Sequence, residues 1–213
     1  MNRYQRRVRI LAAGLCALAG FVDATAFISL GGFFVSFMSG NTTRFAVGLA
    51  RGAGAAALGA GLIAAFVLGV MAGTLLRRRA VKNQAAWVLA LVAILLAFAA
   101  ALGTTRFLTG SGLAMALAMG AENAVFEREG EVHIGLTYMT GTLVKLGQHL
   151  LNALCGIEGR AWRSYLLLWL GLAGGAVTGA LLHPLLGLGG LWIAALAAAL
   201  FATAATRIGD FSA

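Results

Sequence analysis

The chain has 213 residues, 61% of them hydrophobic and 11% charged, and its mean hydropathy is +0.90. A soluble domain carries about 25% charged residues, so this composition excludes a soluble globular protein and predicts a single all-α integral membrane domain over 1–213. The net charge of +9 is no nucleic-acid signature, because much of it sits in two clusters, Arg3/Arg6/Arg7/Arg9 and Arg77/Arg78/Arg79/Lys82, which read as cytoplasmic anchors of membrane spans.

Hydropathy predicts apolar tracts in chain order at about 9–30, 33–50, 53–76, 85–103, 107–126, 133–155, 162–183 and 184–206. The first follows a basic start, as a signal peptide does, but Asp23 interrupts its end and the apolar pattern continues, so it reads as an uncleaved span. The second carries Met38-Ser39-Gly40-Asn41-Thr42-Thr43-Arg44, and the sixth carries Met139-Thr140-Gly141-Thr142-Leu143-Val144-Lys145. Each has Met, a hydroxyl residue, Gly, and a cation four residues after the Gly. Both tracts are predicted to break at that Gly, with Asn41 or a Thr capping the half-helix that follows. Cys16 and Cys155 fall in apolar tracts and read as small buried hydrophobes, with no metal-ligand spacing nearby.

The recurrence extends further. Gly20-Phe21-Val22-Asp23-Ala24 is similar to Gly120-Ala121-Glu122-Asn123-Ala124, and Gly69/Gly73 align with Gly175/Gly179, both GxxxG. These matches, in the same order, divide the chain into a first half, 1–105, and a second, 106–213. If all eight tracts spanned, the two basic clusters would face opposite sides, against the positive-inside rule. If tracts two and six instead enter and leave on one side, both clusters face the cytoplasm. Each half then has three spans and one re-entrant segment, about six transmembrane helices in all, and the second half is inverted relative to the first. Seven or eight spans with discontinuous second and sixth helices stay open as the alternative.

The string Gly20-Phe21-Val22-Asp23-Ala24 with Met38-Ser39-Gly40-Asn41-Thr42, and Thr140-Gly141-Thr142 later, resembles the YoaK family of bacterial multi-pass membrane proteins, a domain of unknown function (DUF1275). The resemblance covers nearly the whole chain. Ser39 stands where that family usually has Thr, and Glu122-Asn123 where Gln-Asn is expected, which adds a carboxyl. The resemblance implies a polytopic fold in a bacterial inner membrane and brings no substrate or catalytic residues.

Asp23, Glu122, Arg44 and Lys145 lie deep in apolar tracts. Charges at membrane depth are costly and mark pathways or pairs, so the expected pairs are Asp23 with Arg44 and Glu122 with Lys145. One reading makes them structural locks; another makes the cations an attraction for an anionic or polar solute. Asn41 and Asn123 add amides, and Ser39, Gly40, Thr42, Thr140, Gly141 and Thr142 complete the two segments. Lys145, Gln148, His149 and Asn152 recur at three- and four-residue spacing and share one helical face, expected toward a bundle interior or water path. His149 reads as a proton relay or as a hydrogen-bonded structural residue. His133 and His183 carry no signal, and Glu127-Arg128-Glu129-Gly130-Glu131 reads as a solvated charge run. Gly69, Gly73, Gly175 and Gly179 read as helix contact faces, between the halves or between subunits of a homo-oligomer.

The expected function is a transporter or facilitator of a small polar or anionic solute, through a path between two repeat halves, with the N-terminus cytoplasmic. Its expected partners are the bilayer and that solute, with no nucleic acid and no cofactor. A non-transporting accessory or sensor protein is the alternative. An intramembrane enzyme is less favoured, since Ser39 with His149 is its one nucleophile–base candidate and no motif supports it.

Overall fold

A computed structural model describes residues 6–51, 53–128, 131–132, 135–157 and 159–208. Arg3, Glu129, Gly130 and His133 lie outside the described residues. The chain is an all-α membrane protein, with helices α1 (Arg6–Ser29), α2 (Met38–Arg51), α3 (Ala53–Arg79), α4 (Gln84–Thr104), α5 (Leu108–Glu122), α6 (Met139–Leu154), α7 (Trp162–Leu186) and α8 (Leu191–Ile208). A 3₁₀ turn, Asn123–Phe126, extends α5, and a minimal antiparallel pair, Glu127–Arg128 with Glu131–Val132, follows it. Among the described residues, four stretches are long and apolar enough to cross a membrane: Arg6–Ser29, Gly54–Arg79, Gln84–Thr104 and Trp162–Ile208. The last contains both α7 and α8. Pro184 sits inside α7, and the chain turns only at Gly187, whose φ is +51°, so the seventh helix outruns its predicted end.

Small residues set the packing. α1 and α7 run parallel and touch backbone to backbone. A side-chain carbon added at Gly171 would lie 2.5 Å from the Ala13 carbonyl oxygen, and one at Gly179 would lie 2.6 Å from that of Phe21. Between them Gly175 abuts the Ala17 carbonyl, and Gly20 fits between Leu172 and Ala176 from the other side. α3 and α5 cross in the same way. Gly69 abuts the Leu117 carbonyl, Gly73 leaves 2.7 Å to that of Ala121, and Gly120 fits between Phe66 and Val70. In lipid there is little hydrophobic drive between helices, so such close approach supplies the van der Waals contact that holds them.

The helix directions follow from these contacts. Leu30, just past α1, packs on Gly112 near the start of α5, so α1 and α5 are antiparallel. Arg77 Nη1 donates to the Val125 carbonyl, 2.8 Å away, at the far end of α5, and Arg9 reaches Ser164 Oγ at the start of α7. The basic ends of α1 and α3 therefore lie at one end of the bundle. α4 runs antiparallel to α8, with Gly103 against Leu188, and binds α5 through Ser111 Oγ on the Ala99 carbonyl. The core lies along α1, α4 and α5, around Leu15, Val22, Leu89, Leu96, Met115 and Met119.

Candidate functional site

Helices α2 and α6 are short and peripheral: α2 packs on α3, and α6 on α7. Each is preceded by an irregular segment that folds back into the helical body. The first break falls earlier than predicted. It lies at 30–37, where Gly31 and Gly32 take φ of +66° and +91°, a region open to glycine and strained for other residues. Helix α2 is already under way at Met38, so Gly40 is helical. Likewise α6 starts at Met139, and Gly141 lies inside it.

Asp23 holds the first segment. Its Oδ1 accepts from the Val35 N–H at 2.7 Å and the Ser36 N–H at 2.9 Å, and its Oδ2 accepts from Ser36 Oγ. Asn41 holds the same segment from α2. Its Oδ1 accepts from the Phe34 N–H at 3.0 Å and its Nδ2 donates to the Phe34 carbonyl at 2.6 Å. The predicted cap within α2 is thus a clamp on the preceding loop. From there α2 climbs back along α3, with Asn41 and Phe45 beside Gly59 and Gly48 beside Ala56, toward the end where α1 finished.

The second segment repeats part of this arrangement. Thr137 Oγ1 donates to Asn123 Oδ1 at 3.1 Å, and Asn123 Nδ2 donates to the Met119 carbonyl at 2.9 Å. Thr142, buried, donates to the Tyr138 carbonyl. The Cys16 thiol, fully buried in α1, lies 3.4 Å from the Leu136 carbonyl, so the later segment reaches the middle of the first helix. Ser36 and Thr137 were missed by the motif reading, although the sequence holds their signal. Ser36-Phe37-Met38-Ser39-Gly40 and Thr137-Tyr138-Met139-Thr140-Gly141 both read hydroxyl, aromatic, Met, hydroxyl, Gly.

The expected ion pairs are absent among the described residues, where Arg78 with Glu127 at 3.8 Å forms the salt bridge. Asp23 is taken by backbone and hydroxyl donors. Arg44 turns instead to the Gly31 carbonyl at 3.3 Å and stacks its guanidinium 4.9 Å over the Phe33 ring. Lys145 and Gln148 are exposed, while His149 stacks on Tyr165 of α7 at 5.1 Å and Asn152 is half-buried, so the polar face of α6 is only partly turned inward. Ser39, Thr42, Thr43 and Thr140 are exposed. Glu122 is fully buried, and neither of its carboxyl oxygens has a hydrogen-bond partner; it lies within electrostatic reach of Asp23 and Cys16.

Three other expectations need correction. Glu127 is buried, accepting from Thr74 Oγ1 at 2.8 Å beside Arg78, because the strand pair turns it back toward α3; it is no solvated run at that position. Cys155 is exposed at the end of α6. His183 Nε2 lies 2.8 Å from Ser29 Oγ and ties the end of α7 to that of α1.

A pocket of about 420 Å³ lies between α2 and the start of α3, lined by Phe33, Thr43, Arg44, Val47, Gly48, Arg51 and Ala55. Arg44 and Arg51 are seven residues apart, two helical turns, and so share a face. Among the described residues no acidic side chain lines this space.

Asn41→Ala is expected to be destabilising beyond its size. It leaves the Phe34 N–H and carbonyl without their partner, at about 1–3 kcal/mol for each buried group. Thermal unfolding in detergent checks this, and an unchanged midpoint would show that the clamp contributes nothing.

Fold and site together define a polytopic helical membrane protein, with polar side chains carried inward on two irregular segments. The chain belongs to the DUF1275 family, described as protein of unknown function, whose model matches residues 11–204. It is 40% identical over 201 residues, 93% of this chain and 86% of the relative, to UPF0700 transmembrane protein RA0705 of Rhizobium meliloti (strain 1021). No solved structure matches the chain.

Proposed function

We propose that this protein is a transporter or facilitator for a small anionic solute, built from two inverted repeat halves, 1–105 and 106–213. The observation that carries the reading is the pair of irregular segments folded back into a helical membrane body, one onto Asp23 and one onto Asn123 and Cys16. Backbone of this kind is tolerated at membrane depth only where protein or a water-filled cavity surrounds it, and transporters place their sites at such breaks. The inverted repeat rests on the matching crossings of α1 with α7 and α3 with α5. In this reading six helices span, and α2 and α6 re-enter. The basic ends of α1 and α3 face the cytoplasm across a bacterial inner membrane, as the positive-inside rule favours.

The pocket with Arg44, Arg51 and Thr43 supports the anionic solute class. Guanidinium groups bind carboxylate and phosphate through paired donors, and no acid competes among the pocket's lining residues. The test is thermal stabilisation of the purified protein by a panel of organic and inorganic anions, since a ligand of the native state raises stability by about 2.7 kcal/mol at one hundred times its Kd. An anion that stabilises the protein and enters proteoliposomes containing it is expected, with both effects lost in Arg44→Ala and Arg51→Ala. A panel without a stabilising anion, or a hit untouched by both substitutions, would overturn the reading. The exposed Lys145 and Gln148 of α6 favour one second reading, an accessory protein that docks a membrane partner on that helix.

A further inference from the structure

We propose that the Glu122 carboxyl is a proton-binding site, neutral in the conformation described and ionised in another conformation that admits water to it. This deepens the transport reading by naming a proton as the ion bound between α1 and α5, but its test requires no solute to be moved.

Glu122 has no exposed surface and neither oxygen has a partner. An ionised carboxylate in such a place would be strongly unfavourable, and buried carboxyls escape that by holding a proton or by pairing. Among the described residues no group pairs with it. On α1 the facing titratable groups are Asp23 and Cys16; one is an acid, and the other is a thiol directed to Leu136. Helix α4 has no titratable residue. On α3 the charged groups are Arg77, Arg78 and Arg79; Arg77 engages Val125 and Arg78 lies beside Glu127. Glu127 itself, past the end of α5, is held by Thr74. The cation expected beside Glu122, Lys145, is exposed on α6. Among the described residues, no group of three or more His, Cys, Asp or Glu could hold a metal ion there.

Asp23 makes the contrast. Its carboxyl oxygens accept from three donors, the Val35 and Ser36 N–H groups and the Ser36 hydroxyl. One acid is thus engaged by the first irregular segment, while the neighbouring acid is left without a partner. The two carboxyl groups therefore sit in unlike surroundings, one fully hydrogen-bonded and one with no partner for either oxygen. Release breaks the Glu122 O–H bond and passes the proton to water, leaving a carboxylate. That step requires α1 and α5, or the segment over them, to part.

Infrared difference spectroscopy between acid and alkaline pH tests this on the purified full chain. The carbonyl stretch of a protonated carboxyl is expected near neutral pH, lost in Glu122→Gln and shifted but kept in Glu122→Asp. If Glu122→Gln does not fold, the wild-type protein decides the matter. Dicyclohexylcarbodiimide attacks protonated carboxyls in apolar surroundings, and peptide mass spectrometry should find its adduct on Glu122 at least about tenfold above that on Asp23, falling as pH rises. A carboxyl band unchanged by Glu122→Gln, or labelling of Asp23 in preference to Glu122, would overturn the proposal. An anion stabilisation that survives Glu122→Gln would leave the transport reading standing without it.

Discussion

Gly175→Ala is expected to destabilise the protein severely, while Gly174→Ala, one residue earlier, leaves it as stable or more so. The methyl added at Gly175 would point into the Ala17 carbonyl, with the Ala17 carbonyl carbon at 2.6 Å and its Cα at 2.7 Å. These are backbone atoms of α1, so no flexible side chain can swing aside and the two helices must separate. Separation also loosens the contacts of Gly171 and Gly179 on the same ridge. Overpacking costs about 1–3 kcal/mol in ordinary cores and more where backbone must move. At Gly174 an added carbon meets nothing within 4 Å, and alanine is the better helix former by about 1 kcal/mol. Gly69→Ala should repeat the Gly175 result, since the Leu117 carbonyl of α5 stands where Ala17 stands on α1. Unfolding of the three variants in detergent checks this, and equal midpoints for Gly174→Ala and Gly175→Ala would show that the α1–α7 crossing is looser than described.

The glycine ridges were legible in the sequence because spacing alone places Gly69/Gly73 and Gly175/Gly179 on one side of a helix. Spacing does not say which neighbour a ridge meets. That α7 lies against α1, and α3 against α5, follows only from the assembled packing. The recurring Met–hydroxyl–Gly strings lie at the starts of α2 and α6, just past the two irregular segments, so the reading from them puts each break too late. Gly40 drew attention as the glycine of the motif, whereas the chain turns where Gly31 and Gly32 take positive φ. The pairing of Asp23 with Arg44 failed for a deeper reason. A break inside a membrane protein frees backbone N–H groups that need acceptors, and a nearby carboxylate is a strong one. Main-chain donors have no letter in a sequence, so opposite side-chain charges looked like the only partners. The bare carboxyl of Glu122 was equally hidden, since nothing in its spacing from Lys145 tells that the lysine lies exposed.

Asp23→Ala is expected to be among the most damaging single substitutions in the chain, and Asp23→Asn far milder. Alanine strands the Val35 N–H, the Ser36 N–H and the Ser36 hydroxyl together. Each buried group without a partner costs about 1–3 kcal/mol, and about 3–5 kcal/mol in all is consistent with the worst losses seen for broken polar networks. Asparagine keeps an oxygen where Oδ1 accepts from both N–H groups, and Ser36 can turn its hydroxyl to accept from the new amide. Its loss is expected near 1 kcal/mol, the difference between a charge-assisted hydrogen bond and a neutral one. The protein already uses that solution, where Asn123 takes the Thr137 hydroxyl and Asn41 the Phe34 N–H. Combining each substitution with Arg44→Ala separates this reading from the ion pair the sequence suggests. With Arg44 bound to Gly31 and Phe33 instead, the effects should add within about 0.5 kcal/mol. Strong coupling to Arg44, or an asparagine variant as unstable as the alanine one, would mean that the charge of Asp23, rather than its acceptor geometry, holds the first segment in place.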